Sequence, residues 1–81
     1  MENSLLDNLD KLHTTKLGIT RIKRNVDLDT DDVVLWCKEK IMSQHSHIVR
    51  KGKNWYVSIE NYIITIHAHS YTIITAHYKK P

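Results

Sequence analysis

Trp55-Tyr56-Val57-Ser58-Ile59-Glu60-Asn61-Tyr62-Ile63-Ile64-Thr65-Ile66-His67 decides the fold, because its apolar side chains alternate instead of recurring every three or four residues. In an extended chain Trp55, Val57 and Ile59 project to one side, while Tyr56, Ser58 and Glu60 project to the other. Glu60-Asn61 interrupts the alternation and predicts a hairpin turn, with Asn61 suited to a positive φ. The second limb, Tyr62 to His67, sets Ile64 and Ile66 against Ile63, Thr65 and His67. A last strand over Tyr71 to Tyr78 sets Tyr71, Ile73, Thr75 and His77 against Thr72, Ile74 and Ala76. A first strand over His47 to Lys51, turning at Gly52, completes an antiparallel meander.

Upstream of residue 46 the period is helical. Leu5, Leu6, Leu9 and Leu12 form the stripe of an amphipathic helix, with Ser4 as its cap. A second helix starts after Thr14 or Thr15, carries Leu17, Ile19 and Ile22, and stops near Asn25; Gly18 weakens it. Asp27-Leu28-Asp29-Thr30 supplies a cap for a third helix, with Asp31 and Asp32 in its first turn and Lys38 and Lys40 in its last. Val33, Val34, Cys37 and Ile41 make its buried face. The fold class is α+β: two or three N-terminal helices packed on one face of a roughly four-stranded antiparallel sheet.

At 81 residues the chain has room for one domain. It divides into a helical half, 1–43, and an antiparallel sheet, 46–79. Apolar residues at 41% and charged residues at 26% exclude disorder throughout. A single cysteine, Cys37, excludes an internal disulfide framework and fits a reducing cytosol. No apolar run approaches the roughly 20 residues that cross a bilayer, and the N-terminus lacks the pattern of a secretory signal. A cytoplasmic protein without a membrane partner is expected.

Charge is unevenly divided. Residues 43–81 hold Arg50, Lys51, Lys53, Lys79 and Lys80 against Glu60 alone, a net +4, whereas residues 1–42 contribute −1. Five of the six histidines, His45, His47, His67, His69 and His77, also lie in the second half. A small sheet carrying cations, imidazoles and hydroxyls suits a phosphodiester, and RNA is the first candidate partner. His45-x-His47 and His67-x-His69 would each present two imidazoles on one side of a strand, but no acid stands at a suggestive spacing for a third ligand. Neither a metal nor an organic cofactor is expected.

Over most of its length the chain resembles a bacterial family of small proteins, a domain of unknown function. The resemblance is carried by His13-Thr14-Thr15-x-Leu17-Gly18-x-x-Arg21-Ile22-x-Arg24-Asn25, by Val34-x-Trp36-Cys37-Lys38, by Lys51-Gly52-Lys53-Asn54-Trp55-Tyr56-Val57 and by the closing Ser70-to-His77 run. The order of helices before sheet, with a last strand reading Ile-Ile-Thr-Ala-His, also resembles the barnase, colicin and RelE group of metal-independent RNases. That second resemblance implies His13 and Arg21 on helices facing Thr75 and His77 on the last strand. Lys51 or Lys53 would serve as a phosphate clamp.

Two readings follow. The first is a small metal-independent endoribonuclease, of the toxin or phage–host conflict type, that leaves a 2′,3′-cyclic phosphate. His13 and His77 would transfer protons, because imidazole titrates near neutrality, Thr75 would orient, and Arg21 would stabilise phosphorane charge. The second is a non-catalytic nucleic-acid-binding module or a phage-type protein inhibitor acting through the same basic sheet. Arg24, Arg50, Lys51, Lys53 and Tyr56 would make its contacts, the tyrosine by stacking on a base. Plainer roles stand beside these. His13 could end the first helix and favour its dipole, Thr75 is a common strand residue, and the basic runs could be solvated faces. A partner protein such as an antitoxin, or a homodimer formed by pairing edge strands, fits the same pattern. Cys37 is expected to be buried and inert.

Overall fold

The computed structural model of the chain describes residues 4–79. The meander expected from the alternating segment is present. β1 (His47–Lys51), β2 (Asn54–Ile59), β3 (Tyr62–His67) and β4 (Ile73–Tyr78) pair antiparallel in the order β1-β2-β3-β4. Three helices precede it: α1 (Ser4–Asp7), α2 (Lys16–Val26) and α3 (Val33–Met42), with a 3-10 turn at Leu9–Lys11. Together they make the α+β arrangement, with one face of the sheet built into the core. Trp55, Val57 and Ile59 of β2, Ile64 and Ile66 of β3, and Ile73 and Ala76 of β4 are buried. They pack with Leu5, Leu12, Ile22, Val26, Val33, Cys37 and Ile41 from the N-terminal half, while Leu9 of the 3-10 turn and Ile48 of β1 are half-buried against this apolar layer.

The leucine stripe does not form one continuous helix. α1 ends at Asp7, Asn8 leaves helical geometry (φ −129, ψ 32), and Leu12 is extended after the 3-10 turn. Extension is favoured because it carries His13 beside β4 in a parallel bridge with Thr72. The His13 N–H donates to Tyr71 O at 3.3 Å and Ile73 N–H donates to His13 O at 2.7 Å. His13 is therefore an added sheet residue and not the last turn of a helix. The capping role expected of Ser4 rests on a side chain outside those described.

α2 begins where Thr15 predicts it, the Thr15 hydroxyl accepting the Gly18 N–H at 3.0 Å. Gly18 has a steric role. A Cβ there would lie 2.1 Å from Thr14 Oγ1, whose hydroxyl donates to Ile73 O at 2.8 Å. The helix runs one residue past the expected stop at Asn25. It ends instead at Asp27, which takes the left-handed conformation (φ 53) and donates its N–H to Lys23 O. α3 starts later than the Asp27–Thr30 segment suggests, because Asp32 is the residue whose carboxylate accepts the Leu35 N–H. Asp31 thus precedes the helix and pairs with Lys23, which holds its carboxyl below the usual range. Val33, Cys37 and Ile41 are buried as expected, and Val34 is half-buried against them.

Two local expectations are corrected in the sheet. At the β2–β3 turn Glu60, not Asn61, adopts positive φ (55), and its carboxylate receives Lys40 Nζ at 3.0 Å. In β4 the alternation fails. Thr65 pairs with Thr75, but the next partner of β3, Ile66, pairs with Ile73, so Ile74 is an extra residue in a bulge. Ile73 and Ala76 therefore both face the core opposite Ile66 and Ile64, while Thr75 and His77 face away. Strict alternation would have grouped Ile73 with Thr75 and His77. The bulge wins because Ile64 and Ile66 each gain an apolar partner on the dry side.

Candidate nucleic-acid interface

The face of the sheet turned away from the core follows from the register, because cross-strand partners point the same way. It is built of three rows: His47, Ser58, Ile63 and His77; then Val49, Tyr56, Thr65 and Thr75; then Lys51, Asn54 and His67. Thr72 continues the third row, since the His67 N–H donates to Thr72 O at 2.8 Å. His13 continues it further through its bridge to Thr72. Among the described residues these rows contain no Asp or Glu. Hydroxyls, an amide, imidazoles and a lysine share the face with Val49 and Ile63; Thr65 is buried within it, and Tyr56 is half-buried near its middle with its oxygen 3.4 Å from Asn54 Nδ2.

Cations border this face. α2 runs beside β4 in the same direction, as Asn25 Nδ2 donates to Thr75 Oγ1 at 3.2 Å and Tyr78 Oη donates to Val26 O at 3.2 Å. Arg21 is exposed one turn before Asn25 on the same side of α2, the helix that flanks β4. Arg24 lies on the solvent side of the helix and is exposed. Arg50, Lys51 and Lys53 cluster at the β1–β2 tip, where Gly52 takes a positive φ of 61. Arg50 Nε donates to Gly52 O at 3.0 Å, and its guanidinium lies 5.8 Å from the Trp55 ring centre. Lys53 is joined to the β3–β4 loop through its carbonyl, which accepts the Ala68 N–H at 2.8 Å.

Three segments meet at this end: the connector Lys11–Thr14, the β1–β2 tip and the loop after β3. Tyr71 holds them in place from an uncommon left-handed conformation, φ 59. Its N–H donates to His67 O at 2.9 Å, its carbonyl accepts from His13, and its ring lies 5.3 Å from Trp55 and 5.5 Å from Lys11 Nζ. A bulky residue at positive φ is strained, and such strain concentrates at functional sites.

The result is a chain of side-chain hydrogen bonds across the loop. His13 Nδ1 donates to Lys11 O at 3.0 Å, because a carbonyl can only accept. His13 Nε2 is 2.9 Å from Thr72 Oγ1, which is 2.7 Å from Ser70 Oγ, which is 3.2 Å from His67 Nδ1. The His67 and His69 rings lie 5.7 Å apart. No group of three or more His, Cys, Asp or Glu among the described residues could hold a metal ion.

The residues expected to share a catalytic centre divide into two places. His13 lies beside Thr72 at the start of β4, whereas Arg21 is exposed on α2, one turn before Asn25. Thr75 is midway along the strand and bound to Asn25. His77 is five residues beyond Thr72, about 16 Å at the usual strand rise. Its Nδ1 donates to its own neighbour's carbonyl, Tyr78 O, at 3.0 Å. His13 and His77 thus share a face but not a site, and the imidazole that does approach His13 is His67. Ser70 and Thr72 were present in the sequence as hydroxyls two residues apart after His67-x-His69. Nothing local marked Thr72 as the partner of a histidine 59 residues away.

Cys37 is buried, and burial pushes its thiol up to about 12. No helix among the described residues is long and apolar enough to cross a membrane.

These features define an α+β protein whose meander sheet keeps one face open. Residues 6–77 match a family described as a protein of unknown function, DUF3781, and the chain belongs to that family. No curated protein and no solved structure matches it. The comparisons give no support to the expected likeness to the barnase, colicin and RelE group.

Proposed function

We propose that the chain binds single-stranded RNA across the open face of its sheet. The observation that carries this reading is the absence of carboxylates from all three cross-strand rows of the described sheet, combined with cations at its border. A phosphate backbone approaching this face meets Lys51, Lys53, Arg21 and Arg50 without an opposing acid in the rows. Tyr56 offers a ring for stacking, and Ser58, Thr75 and Thr72 offer hydroxyls to 2′-hydroxyls and base edges.

Fluorescence anisotropy of a labelled single-stranded RNA over a salt series tests it. Affinity should fall as salt rises, and Lys51→Glu with Lys53→Glu should lower it at least tenfold. Losing two phosphate contacts should also reduce the salt slope by about 1.4. Affinity unchanged by both salt and charge reversal would exclude this face as the interface.

A further inference from the structure

We propose that β1 takes an extended acidic segment of a partner protein as a fifth strand of the four-stranded sheet. This contact uses the edge of the sheet instead of its open face, and it does not depend on the RNA-binding reading.

The two edges of the meander are treated differently. β4 is covered: His13 bridges Thr72, and α2 lies alongside, with Asn25 bonded to Thr75 and Tyr78 bonded to Val26 O. β1 stands at the other end of the strand order and, among the described residues, pairs only with β2. An antiparallel edge strand turns the N–H and C=O groups of alternate residues away from its neighbour, so part of the His47–Lys51 backbone is open to pairing. Four of the five residues of β1 are exposed.

Side chains along this edge change character from one end to the other. At the Gly52 turn, Arg50 and Lys51 have no carboxylate partner among the described residues. The Arg50 guanidinium is bonded through Nε to Gly52 O, which leaves its terminal N–H groups for a ligand. Toward the start of the strand the edge becomes apolar. Ile48 lines a hollow of about 340 Å³ with Leu6, Ile41 and Met42, and Val49 is 45% exposed on the other side of the strand. Met42 is 62% exposed and Leu6 39%, so two walls of the hollow are wet. No Lys or Arg lines it, and Asp7 follows Leu6 in α1.

Charge selects the occupant. Two β1 edges paired antiparallel about Val49 would lay Arg50 of one copy beside Ile48 of the other and Lys51 beside His47. Both cations would stay unneutralised, and lysine or arginine on an edge deters such self-pairing. A strand that brings carboxylates meets no such penalty.

The register then specifies the segment. Successive side chains of an added strand fall on opposite sides of the sheet. Opposite Lys51 and Arg50 it carries two consecutive acids, one on each side. Opposite Val49 it carries an apolar residue on the open face, and opposite Ile48 a bulky apolar residue that enters the hollow. Antiparallel pairing, the geometry of every ladder in this sheet, reads the segment from N to C as acid-acid-apolar-apolar. Main-chain hydrogen bonds supply affinity, while the hollow and the two cations supply selection.

The test titrates the full chain into a fluorescein-labelled peptide, Thr-Asp-Glu-Val-Leu-Thr, and reads anisotropy. Saturable one-to-one binding is expected. Replacing Asp-Glu in the peptide by Asn-Gln should weaken it by about tenfold or more, as should Arg50→Glu with Lys51→Glu in the protein. Met42→Glu, at an exposed position, should weaken it severalfold. Lys53→Glu, in the turn and outside the strand, should change it less than about threefold. Two further peptides, N-methylated at alternate amides, separate strand addition from loose ion pairing: one should lose binding and the other keep it. Melting curves check the fold of each variant, and the methylated pair decides the matter on the parent chain if a variant unfolds. Equal affinity for the two methylated peptides, or for the acidic and amide peptides, overturns the proposal. Anisotropy that never rises overturns it as well. A dimer in sedimentation that excludes the peptide would assign the edge to a second copy, which also overturns it.

Discussion

The two ends of the sheet are built from similar residue types and treat them in opposite ways. At the β2–β3 turn, Lys40 is matched by Glu60 at 3.0 Å, and Trp36, Tyr62 and Tyr78 pack ring to ring; Lys23, near the end of α2, is matched by Asp31. Lys40 also lies 5.6 Å from the Trp36 ring and 5.3 Å from that of Tyr62. At the opposite end Lys11, Arg50, Lys51 and Lys53 have no carboxylate partner among the described residues. Imidazoles and hydroxyls there are bonded to one another instead. One end neutralises its cations with carboxylates and the other leaves its cations unneutralised, which is the difference between an element that closes a fold and one that meets an anion.

The contrast can be broken or sharpened by substitution. Ile66 is fully buried beneath the junction of β3 and β4. Ile66→Ala should cost about 2–5 kcal/mol in denaturant unfolding and affect both ends together. A value below 1 kcal/mol would mean that the bulge does not set the core. Next in size is an alkaline effect centred on Cys37. Its thiol has a raised value in the folded state, so its contribution is complete below the ordinary 9.0 and is lost as pH climbs toward about 12. Stability should drop by about 1.4 kcal/mol near pH 10, and Cys37→Ala should remove that slope. A thiol reagent should react only as the chain unfolds.

Gly18→Ala should act at the histidine end specifically. The added methyl pushes Thr14 from its bond to Ile73 O, for about 1 kcal/mol and faster amide exchange at Ile73, which donates to His13. Unchanged exchange would show that α2 has slack at its start. The smallest effect is expected at the opposite end, where Glu60→Gln removes an exposed ion pair. A loss below about 1 kcal/mol, fading with salt, is expected, with RNA affinity unaffected. Weaker RNA binding in that variant would end the division of labour between the two ends.

Most of the fold was legible because β2 alternates strictly and β3 follows it after a turn signal, and because threonine and aspartate announce helix starts. The error at α3 arose from several acids in a row, any of which can cap; only the position of the first buried valine selects Asp32. The break after α1 was not legible. Four leucines at helical spacing satisfy a helix, and the competing bridge between His13 and Thr72 lies far along the chain. The bulge was hidden too, since Ile74 is as good a strand residue as its neighbours. The sequence marked the cationic tip correctly, through Arg50, Lys51 and Lys53 around a glycine. It could not join His13 to His67, because that pairing depends on where two loops close.

Ile74 acts as a phase slip in β4. Every side chain after it sits half a period out of step with those before it, so the count of residues, more than their chemistry, fixes which ones stay dry. Pairing Ile74 regularly in the ladder, with no slip, would turn Thr75 and His77 inward and Ala76 outward. A hydroxyl and an imidazole would then stand where Ile64 now meets a methyl group, and the chain would lose both its sealed interior and its wet platform in one step.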